Sequence, residues 1–358
     1  MTIDWKFKGD KMSSRERINA LLAGDPVDHI GLFLFARGFC AKNVGMPLQD
    51  YYTNPQKSLE AQVWTNQMYG QDENTKFGFA SVAAWAFGGE VKMPAGEYDH
   101  APIVTRYPAE SEAAVARLNM PDIKTAGMMP LCTEFGSLQE KAGLMVTMSI
   151  GAPFMYASSV CGLERLSKWM LKNPDLVHQL LRLVTDYSLK TARYWVDRFG
   201  AENIEFRTST PTSSNQVISP KQFQSFSLPY LKELHEKVLE MGVRYIFTHI
   251  CGEQNLNLAH FAEIPFGDPG IVSFGHEVDI SDAIEHFGDK CIVVGNVEPR
   301  IILTESPEKV YAKSCQCIEK GKQAPRGFIL GAGCELPPMA PPSNVWAMRK
   351  AINDIGWY

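Results

Sequence analysis

The decapeptide THICGEQNLN (248–257) sets His249 and Cys251 on either side of Ile250, directly after the apolar run 245–250. Residues two apart on a strand project from the same face, so an imidazole and a thiol would point the same way. A zinc site needs three or four such donors, about 2.0 to 2.3 Å from one point. Cys334 is a third. It follows GFILGAG (327–333) and precedes a proline-rich loop, where glycines let the backbone pass close and prolines stiffen what holds the ligand. Cys291 begins its apolar run and so belongs at the opposite end of a strand. Cys315 and Cys317, two apart in a helical stretch, lie on different faces. Taken singly, each of the three donors is as well explained by core packing, since free cysteine is commonly buried. Together they make a candidate zinc centre, catalytic if three protein ligands leave a fourth position open.

The elements that must position these donors alternate along the chain. Eight short apolar runs predict strands at 30–35, 75–81, 144–150, 203–207, 245–250, 271–275, 291–297 and 327–333. Helical patterns fall at 163–171, 174–199, 220–241, 281–287, 306–321 and 343–355, several opening with Ser or Asn followed by Pro. Apolar strands each followed by a helix describe a parallel sheet covered on its outside, and eight of them close a (β/α)8 TIM barrel. An open doubly wound sheet is the alternative. SSRERINALLAG predicts a helix with a serine start and a glycine stop, within an N-terminal helical extension over 1–28. The first 145 residues supply only two strands, so they must also hold an insertion or an extra helical layer. No repeat or flexible linker marks a second domain, and 1–358 reads as one. In a barrel the chemistry sits at the C-terminal strand ends, where His249, Cys251 and Cys334 fall.

The 358 residues carry 35 Lys plus Arg against 40 Asp plus Glu, which disfavours nucleic-acid binding. No stretch of about 20 apolar residues predicts a membrane span, and the basic N-terminus lacks the apolar core of a leader. The expectation is a cytoplasmic protein whose eight scattered cysteines are thiols.

His-x-Cys-Gly after a strand, VVGNVEP (293–299) and the ending Gly-x-Gly-Cys-x6-Pro-Pro-x-Asn resemble the uroporphyrinogen decarboxylase superfamily, and within it the zinc methyltransferases of corrinoid-dependent methyl transfer. SSRERINALLAGDPVDHIGL (13–32), GAPFMYASSVCG (151–162) and ISPKQFQSFSLPYLKELHEKV (218–238) extend the resemblance over nearly the whole chain. It implies a (β/α)8 barrel, zinc on His249, Cys251 and Cys334, and a cobalamin-type corrinoid. The chain has no corrinoid-binding module with an Asp-x-His-x-x-Gly loop, so a transiently docking partner protein would bring that cofactor.

Two departures from the family pattern matter. The decarboxylases use an Arg-rich early loop and an Asp in the second-strand region; here FARGFCAK has Arg37 alone, and segment 76–94 has no Asp. That speaks against decarboxylation. The coenzyme M-type methyltransferases carry an acid near the sixth strand end, where this chain has Gly275 followed by His276 and Glu277. Glu277 or His276 could complete the zinc shell, or the position could be left to substrate or water.

Both zinc chemistries of such enzymes fit: activating a thiol that takes methyl from cobalt, or drawing charge from a methylated oxygen while Co(I) takes its methyl. Flat apolar groups near the predicted strand ends, among them Phe33, Phe35, Phe39, Phe79, Trp85, Phe87, Phe154, Tyr156 and Phe274, favour an aromatic methyl ether as the small methylated substrate. A phenolate leaves only if its charge is met, by zinc with Glu277, His276 or Glu335. The thiol-acceptor reaction is the alternative, and a non-catalytic zinc-containing binding protein lies outside both. Arg37, Asn296 and Thr208 are further polar candidates for facing substrate or corrinoid, each equally explained as a hydrated loop residue.

Overall fold

In the computed structural model the described residues are 3–96, 99 and 101–358. Strands β1 (Gly31–Phe33), β4 (Val146–Ser149), β5 (Ile204–Ser209), β6 (Ile246–Ile250), β7 (Gly270–Phe274), β8 (Cys291–Val297) and β9 (Phe328–Ala332) form one parallel sheet, ordered β1-β9-β8-β7-β6-β5-β4. The order follows the chain from β4 to β9 and then returns to β1, the winding of a TIM barrel. Helices 163–172, 174–199, 280–287, 307–321 and 342–355 appear where the sequence predicts them. Asn173 and Pro174 start the longest, the Asn side chain accepting from the Leu176 N–H.

The expected strand at 75–81 does not form. Seven strands, not eight, make the sheet, and the gap between β1 and β4 is filled by an irregular segment, 71–79. Its side chains do what a strand backbone would. Asp72 exchanges backbone hydrogen bonds with Leu32 through its own N–H and its carboxylate, at 2.8 and 2.9 Å. The Gln71 amide oxygen accepts from Leu34 N–H and the Glu73 carboxylate from Phe35 N–H. On the other edge Gln139 donates to the Thr75 carbonyl and accepts from Thr147 N–H in β4. The run QDENT has low strand propensity, and buried polar groups must be satisfied, so its side chains close the ring.

The first 145 residues hold the extra layer. Beyond β1 and the irregular segment they form helices Arg37–Asn43, Leu48–Thr53, Pro55–Tyr69 and Met129–Lys141, with a small antiparallel pair β2 (Glu90–Lys92) and β3 (Ile103–Arg106). The N-terminal helix Ser14–Ala23 is capped by a reciprocal Ser13 and Glu16 pair and stopped by Gly24 in the left-handed region. Its buried Arg17 bonds Asp10, Asp28 and Asp72 at 2.9, 2.7 and 2.6 Å, which ties the extension to the substitute strand. No helix among the described residues is long and apolar enough to cross a membrane.

Candidate metal centre

His249 lies near the end of β6, in register with Ser273 of β7. Its Nδ1 is 2.8 Å from the Ser273 hydroxyl, while its Nε2 is buried with no hydrogen-bond partner. A ring whose Nδ1 hydrogen is taken by the serine presents the Nε2 lone pair. The Phe35 ring, 5.6 Å away centre to centre, packs against the imidazole. Cys251 comes two residues later, and Gly252 beside it has φ +77°, a turn that a side chain would strain. Cys334 follows β9, which is separated from β6 by two strands. Only the curl of the sheet brings the two sulfurs to 3.8 Å.

The donor atoms of His249, Cys251 and Cys334 all lie within 4.8 Å of one another, and no other group of three such residues does so among the described residues. This spacing fits zinc. Two sulfurs each about 2.3 Å from a tetrahedral centre are about 3.8 Å apart, and the orphaned Nε2 is a lone pair in need of a partner. The proton shared between the thiols favours one thiolate: Cys251 donating to Cys334, with His249 beside it, holds the Cys334 thiol well below its ordinary range against the opposing effect of burial. Cys251 is pushed up in return.

The donors open into a cavity of about 170 Å³. Its walls include Phe35, Phe79, Tyr156 and Phe247, with Arg37, Lys76 and Arg207 as bases and Glu335 as the single acid among the described residues. Arg37 and Glu335 lie 3.6 Å apart, joining the end of β1 to the loop of Cys334. Arg207 holds Glu205 and Glu73 at 2.5 and 2.6 Å and stacks over Phe247, its carbon 4.5 Å from the ring centre.

The other candidates are placed unevenly. Oε2 of Glu277 is buried without a hydrogen-bond partner; it is 3.3 Å from His276 Nδ1, but not in hydrogen-bonding geometry. It fills the space over Gly275, where an added Cβ would come within 2.5 Å of it and 2.7 Å of Gly252 N. Its charge also helps to raise the neighbouring Cys251. His276 is turned to another pocket, beside Glu298 and Lys320. Asn296 lines that pocket too, and both its amide hydrogens are taken by the Gly275 and Val278 carbonyls, so it braces the loop carrying His276 and Glu277. Thr208 borders the cavity, yet its hydroxyl bonds Thr248 and His235 of the helix behind the sheet.

Of nine aromatic residues read as a pocket lining, three line the cavity: Phe35, Phe79 and Tyr156. Phe33, Phe39, Phe154 and Phe274 are buried in the core, and Trp85 and Phe87 pack against it. The sequence reading missed Ser273, Phe247, Arg207 and Lys76. Arg207 carried a usable signal, since alternation in NIEFR puts it on the face of Glu205 rather than of Phe206.

Residues 13–355 match the family described as Uroporphyrinogen decarboxylase (URO-D). The methylcobamide:CoM methyltransferase MtaA of Methanosarcina barkeri is 26% identical over 352 residues, covering 95% of this chain and 97% of that protein. The methylcobamide:CoM methyltransferase MtbA of Methanosarcina mazei is 26% identical over 280 residues, 76% of this chain and 77% of its own. The solved structure of a methyltransferase from Methanosarcina mazei superposes with a TM-score of 0.80 at 24% identity, covering 95% of this chain and 98% of that one, which shows a shared fold.

Proposed function

The chain belongs to the uroporphyrinogen decarboxylase family, and we propose that within it the protein is a zinc-dependent methyltransferase that exchanges methyl groups between a small molecule and the corrinoid of a transiently docked partner protein. The observation that carries this reading is the three-donor cluster opening into a cavity at the C-terminal strand ends. Bound to His249, Cys251 and Cys334, zinc would supply a Lewis acid for a thiol sulfur or an ether oxygen. The chain's own groups do the rest. Ser273 fixes the imidazole, Phe35 and Phe247 wall the cavity, and Gly275 leaves room for the Glu277 carboxylate beside Cys251. That carboxylate would accept a proton from an entering thiol.

Two methyl carriers fit. The relatives whose names specify methylcobamide and coenzyme M, aligned over 95% of this chain, support a thiol acceptor. The four aromatic walls support the methyl ether of an aromatic ring as donor, the reading first drawn from the sequence. A decarboxylase would need a carboxylate to meet cationic charge on its substrate, and among the described residues the only acid on the cavity wall is Glu335, beside Arg37.

The deciding experiment gives the zinc-loaded protein either a methylated or a Co(I) corrinoid protein, with thiols in the first case and methoxyaromatics, methanol or methylamines in the second, and follows the cobalt spectrum. Loss of methyl-cobalt with a thiol establishes the acceptor reaction. Methyl-cobalt formation with a methoxyaromatic establishes the ether reaction. No change with any of them would overturn the methyltransferase reading.

A further inference from the structure

His249 and Cys251 are held in different ways. His249 lies within β6, and the backbone there is tied on both sides: the His249 carbonyl accepts from Thr210 N–H and the Ile250 carbonyl from Gly275 N–H, both at 3.1 Å. β6 ends at Ile250. Cys251 is one residue beyond, and its carbonyl accepts instead from a side chain, Nε2 of Gln254, at 3.1 Å. The same Nε2 reaches the Thr210 carbonyl, in the loop after β5, at 3.4 Å. Gln254 is fully buried, and Asn257, equally buried, donates to its Oε1 at 2.9 Å. That bond settles which way the Gln254 amide points, since an oxygen engaged by a donor leaves the NH2 group to the two carbonyls.

The pinning matters because of Gly252. At φ +77° it adopts backbone angles that other residues avoid, and the same freedom would let the peptide between Cys251 and Gly252 turn over at little cost. A turned peptide changes the backbone of Cys251 and with it the direction of the sulfur. The hydrogen bond from Gln254 to the Cys251 carbonyl holds that peptide in one orientation.

We propose that Gln254 is a positioning residue for the metal ligand Cys251: its amide fixes the Cys251–Gly252 peptide, and thereby the line of the sulfur towards Cys334 and His249, while Asn257 fixes the amide. The inference rests on the reading of the three-donor cluster as a zinc site. It gives the second half of THICGEQNLN the part that Ser273 plays for His249, orienting a ligand from outside the donor set. Burying an amide costs desolvation that an apolar side chain of the same length would avoid, so what its three bonds chiefly supply is a defined geometry. Gln254 also joins the ligand loop to the loop after β5, whose Pro211 walls the cavity, so sulfur and wall are held together.

The test reads the metal site and not the reaction. Cobalt(II), which enters tetrahedral zinc sites and absorbs visible light, is titrated into the chelator-treated full chain, and affinity and spectrum are recorded together. Gln254→Met keeps the length and removes the donors. It should bind cobalt about 10- to 100-fold more weakly than the parent, with weaker thiolate-to-cobalt absorption and visible bands moved away from the tetrahedral pattern. Asn257→Leu leaves Gln254 in place but frees its amide to turn, and should move both readouts in the same direction by less. Gln139→Leu, which loosens the ring between the irregular segment and β4, controls for lost stability alone and should keep the parent's affinity and spectrum. A folded Gln254→Met protein with the parent's affinity and spectrum would overturn the proposal. If that variant does not fold, parent values in Asn257→Leu overturn it instead. A change in Gln139→Leu as large as in Gln254→Met would assign the effect to stability, with the same result. A parent chain that gives no thiolate-to-cobalt band refutes the metal centre itself, which separates the failure of that reading from the failure of this role.

Discussion

His249 and Ser273 face each other across neighbouring strands, Nδ1 and Oγ 2.8 Å apart, and this one contact decides which ring nitrogen remains for a metal. Ser273→Ala should therefore weaken zinc binding by ~10- to 100-fold, the usual cost of losing a group that orients a ligand. Competition with a chelator of known affinity measures it. An unchanged affinity would mean that packing against Phe35 alone holds the ring.

Cys334 and Cys251 lie 3.8 Å apart, so removing either should remove the metal as well as the activity. The purified protein from zinc-replete medium is expected to hold about one equivalent, and Cys334→Ala close to none. Elemental analysis showing less than about 0.2 equivalents in the parent protein would sink the metal centre. So would full activity in the variant.

Gly275 has no side chain where a Cβ would meet the Glu277 carboxylate at 2.5 Å and Gly252 N at 2.7 Å. Gly275→Ala should displace the carboxylate and keep the three donors. The expected result is normal zinc content with kcat reduced roughly 10- to 100-fold, the scale of a small misplacement in a reacting site. Full turnover would show that Glu277 takes no part.

Gln139 bridges Thr75 and Thr147 where the eighth strand is missing. Gln139→Leu keeps the bulk but leaves the Thr147 N–H and Thr75 carbonyl buried and unpaired, at a cost of about 2–4 kcal/mol. Urea unfolding should show a lower midpoint at the same slope. A stability equal to that of the parent would mean that this edge of the ring relaxes without the bridge.

His235, buried behind β5, is held neutral by desolvation, with its pKa lowered from 6.5 to about 4. The unfolded chain therefore binds a proton more readily than the fold below pH 6.5, and stability must fall as pH drops from about 6.5 towards 4. The full effect is about 3 kcal/mol for this shift. His235→Gln should flatten that part of the stability–pH curve, as measured by denaturant titration at several pH values. A slope equal to the parent's would assign the loss to other groups.

By itself the sequence determined the winding of the fold, since strand and helix periodicities are local and survive any packing detail: seven of eight predicted strands and the helices between them stand where periodicity puts them. It also marked His249, Cys251 and Cys334, because residue type and position at a strand end can be read from the chain. The second strand failed because the periodicity of 75–81 was weak and the residues that close the ring, Gln71, Asp72, Glu73 and Gln139, act through side-chain bonds that no periodicity records. Tertiary structure alone decided which groups share the cavity. The curl of the sheet sets Cys334 beside Cys251 across two intervening strands, turns the Thr208 hydroxyl to His235, occupies Asn296 with loop carbonyls, and brings Lys76 and Arg207 to one cavity wall from segments 131 residues apart. Strand alternation says which face a side chain takes, but only closure of the barrel says what it meets there.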